Sequence, residues 1–62
     1  MGIRIRELRV RAGVSLRGLA KQARVDFSTI HRIERGDESP RFTTLEKLAK
    51  ALGVSVRDLI EK

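Results

Sequence analysis

Five side chains with hydrogen-bonding, aromatic or cationic chemistry crowd into one short stretch: Phe27, Ser28, His31, Arg32 and Arg35. On a helix advancing about 100° per residue they share one face, and Ile30 and Ile33 share the opposite one. A helix of that kind buries one side and offers water a ring, a hydroxyl, an imidazole and two guanidiniums. Such a basic, donor-rich face, held rigidly beside a second helix, is what reading base edges in a major groove requires. Catalysis finds little here. The chain has one His and no Cys. His31 has Phe27 and Arg35 at the positions one helical turn away, so it lacks a metal-ligand partner there. Asp37 and Glu38 are adjacent, but in an open loop before Pro40. There is no glycine-rich phosphate loop and no nucleophile motif. No enzyme, metal or cofactor is expected.

The partner helix must lie just upstream. Leu16, Leu19, Ala20 and Ala23 recur at the spacing of one helical stripe, so a helix is expected over residues 16–23 and a second over 27–35. Ser15 is placed to cap the first, its hydroxyl accepting a backbone N–H two or three residues on. Asp26 is placed to cap the second, and Gly36 to end it. Upstream again, residues 3–12 form an expected first helix with Ile5, Leu8 and Ala12 as its core stripe and Gly13 as its left-handed end. Ile3 and Val10 lie away from that stripe, as peripheral core or as a face toward a partner. After Pro40, a helix over about residues 43–52, its first residue Phe42 or Thr43, carries Leu45, Leu48, Ala49 and Leu52. Its start is open between a capping box of Thr43 with Glu46 and an N-cap at Arg41. Residues 56–61 make the last helix, capped by Ser55 with Asp58 three residues later. Five helices with short connections give a compact all-α domain.

Sixty-two residues make one small domain without disulfides, and two Phe residues leave its core to aliphatic packing. The net charge is +6. Residues 1–24 carry seven basic residues against one acid, and residues 25–62 carry seven of each. The whole excess therefore sits in the first two helices, which points to a polyanionic partner. No apolar run approaches the roughly 18 residues of a membrane span, and there is no signal-peptide pattern. A cytoplasmic protein with no membrane partner is expected.

An ordered set of residues also resembles a known family: Ile5-Arg6-Glu7-Leu8-Arg9, Ser15, Leu19-Ala20, Val25, Ser28-Thr29-Ile30, Ile33-Glu34, Gly36, Pro40, Thr44-Leu45 and Lys47 to Ser55. It is similar to the helix-turn-helix of the Cro and phage-repressor (XRE-like) type of bacterial, archaeal or phage transcriptional regulator, whose fold is lambda-repressor-like. The resemblance implies sequence-specific binding to double-stranded DNA, as a repressor at a palindromic operator. It implies base contacts from Phe27, Ser28 and Arg32, with Thr29 and His31 adjacent. Arg32 is the strongest chemically, since its fork matches guanine O6 and N7. Phe27 either touches a thymine methyl or packs on helix 2 or the turn; His31 either joins the contacts or stays solvated. Phosphates fall to Ser15 and Arg17 at the start of helix 2, to Arg35 and to Arg41. Arg9 and Glu34 are implied as a structural ion pair. Val54, Val56 and Arg57 are the family-like place for a homodimer contact, formed in solution or only on DNA.

The sequence departs from the family pattern at three places. Arg24 stands where glycine is common, at a turn that favours a left-handed residue. Leu16 stands where a phosphate-binding glutamine is common, and extends the apolar stripe instead. Asp37 and Glu38 stand in a loop that is usually basic or neutral, and would repel DNA close by. The alternative function is a protein-interaction module, an antitoxin or adaptor on the same fold, which exposure of both Leu16 and Phe27 would favour.

Overall fold

The computed structural model describes residues 4–60. Five helices follow in order: α1 (Ile5–Arg11), α2 (Leu16–Ala23), α3 (Phe27–Arg35), α4 (Phe42–Leu52) and α5 (Val56–Leu59). Helix α2 packs against both α3 and α4, and α4 also receives α1 and α5. The core that results is wholly aliphatic. Ile5, Leu19, Ala23, Ile30, Ile33, Leu45, Leu48, Ala49 and Leu59 are buried, at least one from every helix. Leu8, Leu16, Ala20, Val25, Leu52, Val54 and Val56 pack around them, partly buried. Leu16 thus packs against the core while remaining partly exposed, as its place at the start of the α2 stripe allows.

Four helices end in one motif. After α3, the Gly36 N–H donates to Ile33 O at 3.1 Å and the Asp37 N–H to Arg32 O at 2.9 Å. That paired capping reverses the chain through a left-handed residue, and Gly36 supplies it at φ 82°. Helices α1 and α4 close in the same way through Gly13 and Gly53. Helix α2 closes through Arg24, at φ 57° and ψ 43°, with the Val25 N–H donating to Ala20 O at 3.2 Å. A left-handed residue with a Cβ costs about 1–2 kcal/mol. Arg24→Gly is therefore expected to raise stability by about 0.5–1 kcal/mol once the added entropy of the unfolded chain is set against the relieved strain. The check is a thermal melt followed by far-UV circular dichroism, with a shift of several degrees upward.

The expected boundaries of α2 and α3 match those observed, α4 takes the Arg41-capped of its two alternative starts, and the bounds of α1 and the end of α5 are corrected. Helix α1 starts at Ile5, because Arg4 sits outside helical geometry at ψ 29° and its N–H donates to Leu59 O at 2.7 Å; Ile3 lies outside the described residues. It ends at Arg11, with Ala12 exposed. Val10 is 61% exposed and is not peripheral core. Helix α4 starts at Phe42, since Arg41 is the extended N-cap at ψ 159°. Thr43 then lies inside the first turn, and the Thr43–Glu46 capping box does not form. Helix α5 ends at Leu59, because Ile60 is extended at φ −98° and ψ 119°; Glu61 lies outside the described residues. Its capping box does form. The Asp58 N–H donates to Ser55 Oγ at 3.2 Å, and the Ser55 N–H to Asp58 Oδ2 at 3.1 Å. That backbone N–H holds the Asp58 carboxyl below its ordinary range.

Candidate nucleic-acid interface

Helix α3 is fixed at both ends and along one side. At its start the Ser28 N–H donates to Asp26 Oδ2 at 3.0 Å, satisfying an orphan donor where a carboxylate suits the helix dipole. Along the inner side Ile30 and Ile33 are 0% and 2% exposed. The outer side presents Phe27, Ser28, His31, Arg32 and Arg35, all exposed, with Thr29 partly buried at its edge.

An ion pair locks the helix to the rest of the fold. Arg9 Nε donates to Glu34 Oε2 at 2.8 Å and Arg9 Nη2 to Glu34 Oε1 at 3.2 Å, a two-pronged contact. Arg9 Nη1 donates to Val14 O at 3.1 Å. One guanidinium therefore ties α1, the α1–α2 turn and α3 together. The side chains are only 14% and 6% exposed. The bond from Glu34 holds the Arg9 guanidinium above its ordinary value.

Helix α2 brings its first turn beside the start of α3. Ser15 Oγ accepts the Gly18 N–H at 2.9 Å. The Arg17 guanidinium lies over the Phe27 ring, 5.1 Å from its centroid. Phe27 in turn stacks on His31, with centroids 6.3 Å apart and planes 29° from parallel. So Phe27, at 38% exposed, does not pack into the core. It contacts a cation of α2 and the imidazole one turn along α3, and so joins the two helices at the surface.

The acidic loop after α3 folds back on the same face. Arg32 Nε donates to Glu38 Oε1 at 2.9 Å, and Arg35 Nε lies 3.3 Å from Asp37 Oδ2. The Glu38 bond and charge hold the Arg32 guanidinium above its ordinary value. These contacts were absent from the sequence reading, which treated the two acids as repulsive. The signal that could have found them is Gly36, whose left-handed turn sends the next residues back along the helix.

Arg6 was another omission. It lines a shallow groove with Arg9, Leu16, His31, Glu34 and Arg35, at the edge of the α3 face. A second basic hollow is lined by Gln22, Ala23, Arg24, Lys47, Lys50 and Ala51. Arg41 is exposed at the start of α4, next to Phe42, which is 62% exposed and was not anticipated as a surface residue. Val54 and Val56 pack partly buried against the core, and Arg57 is exposed. Among the described residues there is no cluster of metal-ligating side chains, and no helix is long and apolar enough to cross a membrane.

A helix closed by a left-handed residue, a short turn, and a second helix with one face buried and one face polar define a helix-turn-helix domain. The chain belongs to that family, whose model, described as helix-turn-helix domain, matches residues 1–62. It is similar to the HTH-type transcriptional regulator DdrOP3 of Deinococcus deserti, with 38% identity over 94% of this chain and 45% of that protein. It is also similar to the cryptic phage CTXphi transcriptional repressor RstR of Vibrio cholerae, with 37% identity over 92% of this chain and 51% of that one. The chain thus spans about half the length of these two relatives. In three dimensions it superposes on SinR, the master regulator for biofilm formation, in complex with DNA, with a TM-score of 0.89, 39% identity and 94% of each chain covered. The N-terminal DNA-binding domain of SinR from Bacillus subtilis gives a TM-score of 0.88 at 38% identity.

Proposed function

We propose that this domain is a sequence-specific reader of double-stranded DNA and acts as a transcriptional regulator, a repressor by its likeness to RstR. The observation that carries the reading is the rigid presentation of the α3 outer face. Ile30, Ile33 and the Arg9–Glu34 pair hold the helix, while Ser28, His31, Arg32 and Arg35 face outward. That geometry fits a helix entering the major groove with its N-terminal half toward the bases. Arg32 addresses guanine, Ser28 and Thr29 offer hydroxyls, His31 offers a ring nitrogen, and Phe27 meets a thymine methyl. Ser15, Arg17, Arg35 and Arg41 take phosphates around it. Two copies related by a two-fold axis, in contact through Val54, Val56 and Arg57, would address a palindromic operator with half-sites about 34 Å apart. The reading involves no catalytic step and no cofactor, and its compartment is the cytoplasm, where such regulators meet DNA. Against a protein-docking role, Leu16 is packed partly buried on the core, so Leu16 and Phe27 are not both exposed.

The test is selection from a random duplex pool with the purified domain at about 0.15 M salt. The expected result is one enriched half-site motif containing a guanine whose preference disappears with Arg32→Ala, a loss of about 1–3 kcal/mol of discrimination at one base pair. No enrichment, with no salt-sensitive retention of duplex, would overturn the proposal.

A further inference from the structure

The acids of the loop after α3 do not simply sit near the basic face; each engages an arginine of it through one nitrogen. Arg32 meets Glu38 through Nε at 2.9 Å. A guanidinium is planar and carries five N–H donors in a fixed fork. A carboxylate on Nε fixes the plane of the group and leaves the two terminal nitrogens with all their N–H bonds. Those two nitrogens form the end-on pair that matches guanine O6 and N7. The backbone just before Glu38 is itself held. The Asp37 N–H donates to Arg32 O at 2.9 Å, so the loop is anchored to the same residue whose side chain it meets. Glu38 is 38% exposed on its side chain and Arg32 51%, which leaves the pair open to a ligand.

We propose that Glu38 is a positioning and specificity-determining residue: it orients the Arg32 guanidinium end-on for a guanine and, by offsetting its charge, lowers attraction to DNA of any sequence. The inference rests on the DNA-reading proposal above. An arginine without this partner is free to swing to the nearest phosphate, which binds every sequence alike. With its Nε occupied, Arg32 meets a base edge already oriented and gains less from a bare phosphate.

The test uses the full chain and its Glu38→Ala, Glu38→Gln, Arg32→Ala and Arg32→Ala/Glu38→Ala variants. Each is titrated with the duplex enriched from the random pool, with versions of it altered at the guanine that Arg32 reads, and with a random-sequence duplex. Circular dichroism confirms that each variant is folded. Glu38→Ala is expected to bind the random duplex more tightly while its discrimination at that guanine falls from about 10- to 100-fold to within a few-fold. Glu38→Gln is expected to keep most of the discrimination, because its amide oxygen still accepts from Nε, yet to gain the same random-sequence affinity as Glu38→Ala. In the Arg32→Ala background, Glu38→Ala is expected to leave discrimination unchanged. The inference is overturned if Glu38→Ala shifts all duplexes by one factor, or if it changes discrimination equally with and without Arg32. Absence of salt-sensitive duplex binding by the wild-type chain is a different failure: it removes the DNA-reading proposal itself, before any variant is compared.

Discussion

Arg9→Ala is expected to destabilise the domain by about 2–4 kcal/mol, because it leaves the partly buried Glu34 carboxylate without its partner. A chain of this length has only about 3–9 kcal/mol in hand, at about 0.05–0.15 kcal/mol per residue. The variant should therefore lose a large share of that stability and unfold at a clearly lower urea concentration. The Glu34 side chain is 6% exposed and Arg9 is 14% exposed, so water cannot readily take over the lost bonds. Urea unfolding followed by far-UV circular dichroism is the check, since the chain has neither Trp nor Tyr. The pair as a unit should matter less than either half. Arg9→Met with Glu34→Leu removes both charges and fills the space, and is expected to cost much less than Arg9→Ala alone. A single variant within about 1 kcal/mol of wild type would show the pair to behave like a solvated surface contact. The consequence for function is direct, because this pair sets where α3 stands relative to α1 and the start of α2.

Duplex binding is expected to weaken about a thousandfold or more between about 50 and 200 mM salt. Arg17, Arg35 and Arg41 in each of two copies neutralise about six phosphates, each adding about −0.9 to the slope. Fluorescence anisotropy of a labelled duplex across a salt series gives the slope. Arg17→Ala should make it shallower by about one per copy, and should weaken all sequences alike. A slope near zero would mean that apolar surface carries the binding, with Val10, Phe27 and Phe42 the exposed large hydrophobics.

The parts of the fold legible from sequence are those written in local chemistry. Helices α2 and α3 have Ser15 and Asp26 as caps whose side chains make the expected bonds, and Gly36 as a stop. The core stripes of α2 and α4 follow from helical spacing alone, because apolar residues recur there without interruption. The boundaries that differed depend on long-range contacts. The bond from the Arg4 N–H to Leu59 O links the two ends of the chain, and no periodicity within residues 3–12 or 56–61 encodes it. The α4 start had two local candidates, and Arg41 takes the extended cap position, so Thr43 cannot.

The candidate interface was legible to a similar extent. The exposed face of α3 follows from angular spacing, and the Arg9–Glu34 contact came from family resemblance, which spacing alone does not supply. The Arg32–Glu38 and Arg35–Asp37 contacts were only partly legible: Gly36 marks the reversal of the chain, but which arginine each acid meets depends on how the loop then runs. The stack of Arg17, Phe27 and His31 spans two helices, and needed their packing before it could be seen.

The measurement that addresses the central claim most directly is a nitrogen-15 chemical-shift titration of the labelled domain with the selected duplex, at about 0.15 M salt. The amides expected to move belong to the first turn of α2, from Ser15 to Gly18, to α3 from Phe27 to Arg35, and to the loop carrying Glu38 and Arg41. Changes centred instead on the second basic hollow, around Arg24, Lys47 and Lys50, would show that DNA is held by another face and that α3 does not read it.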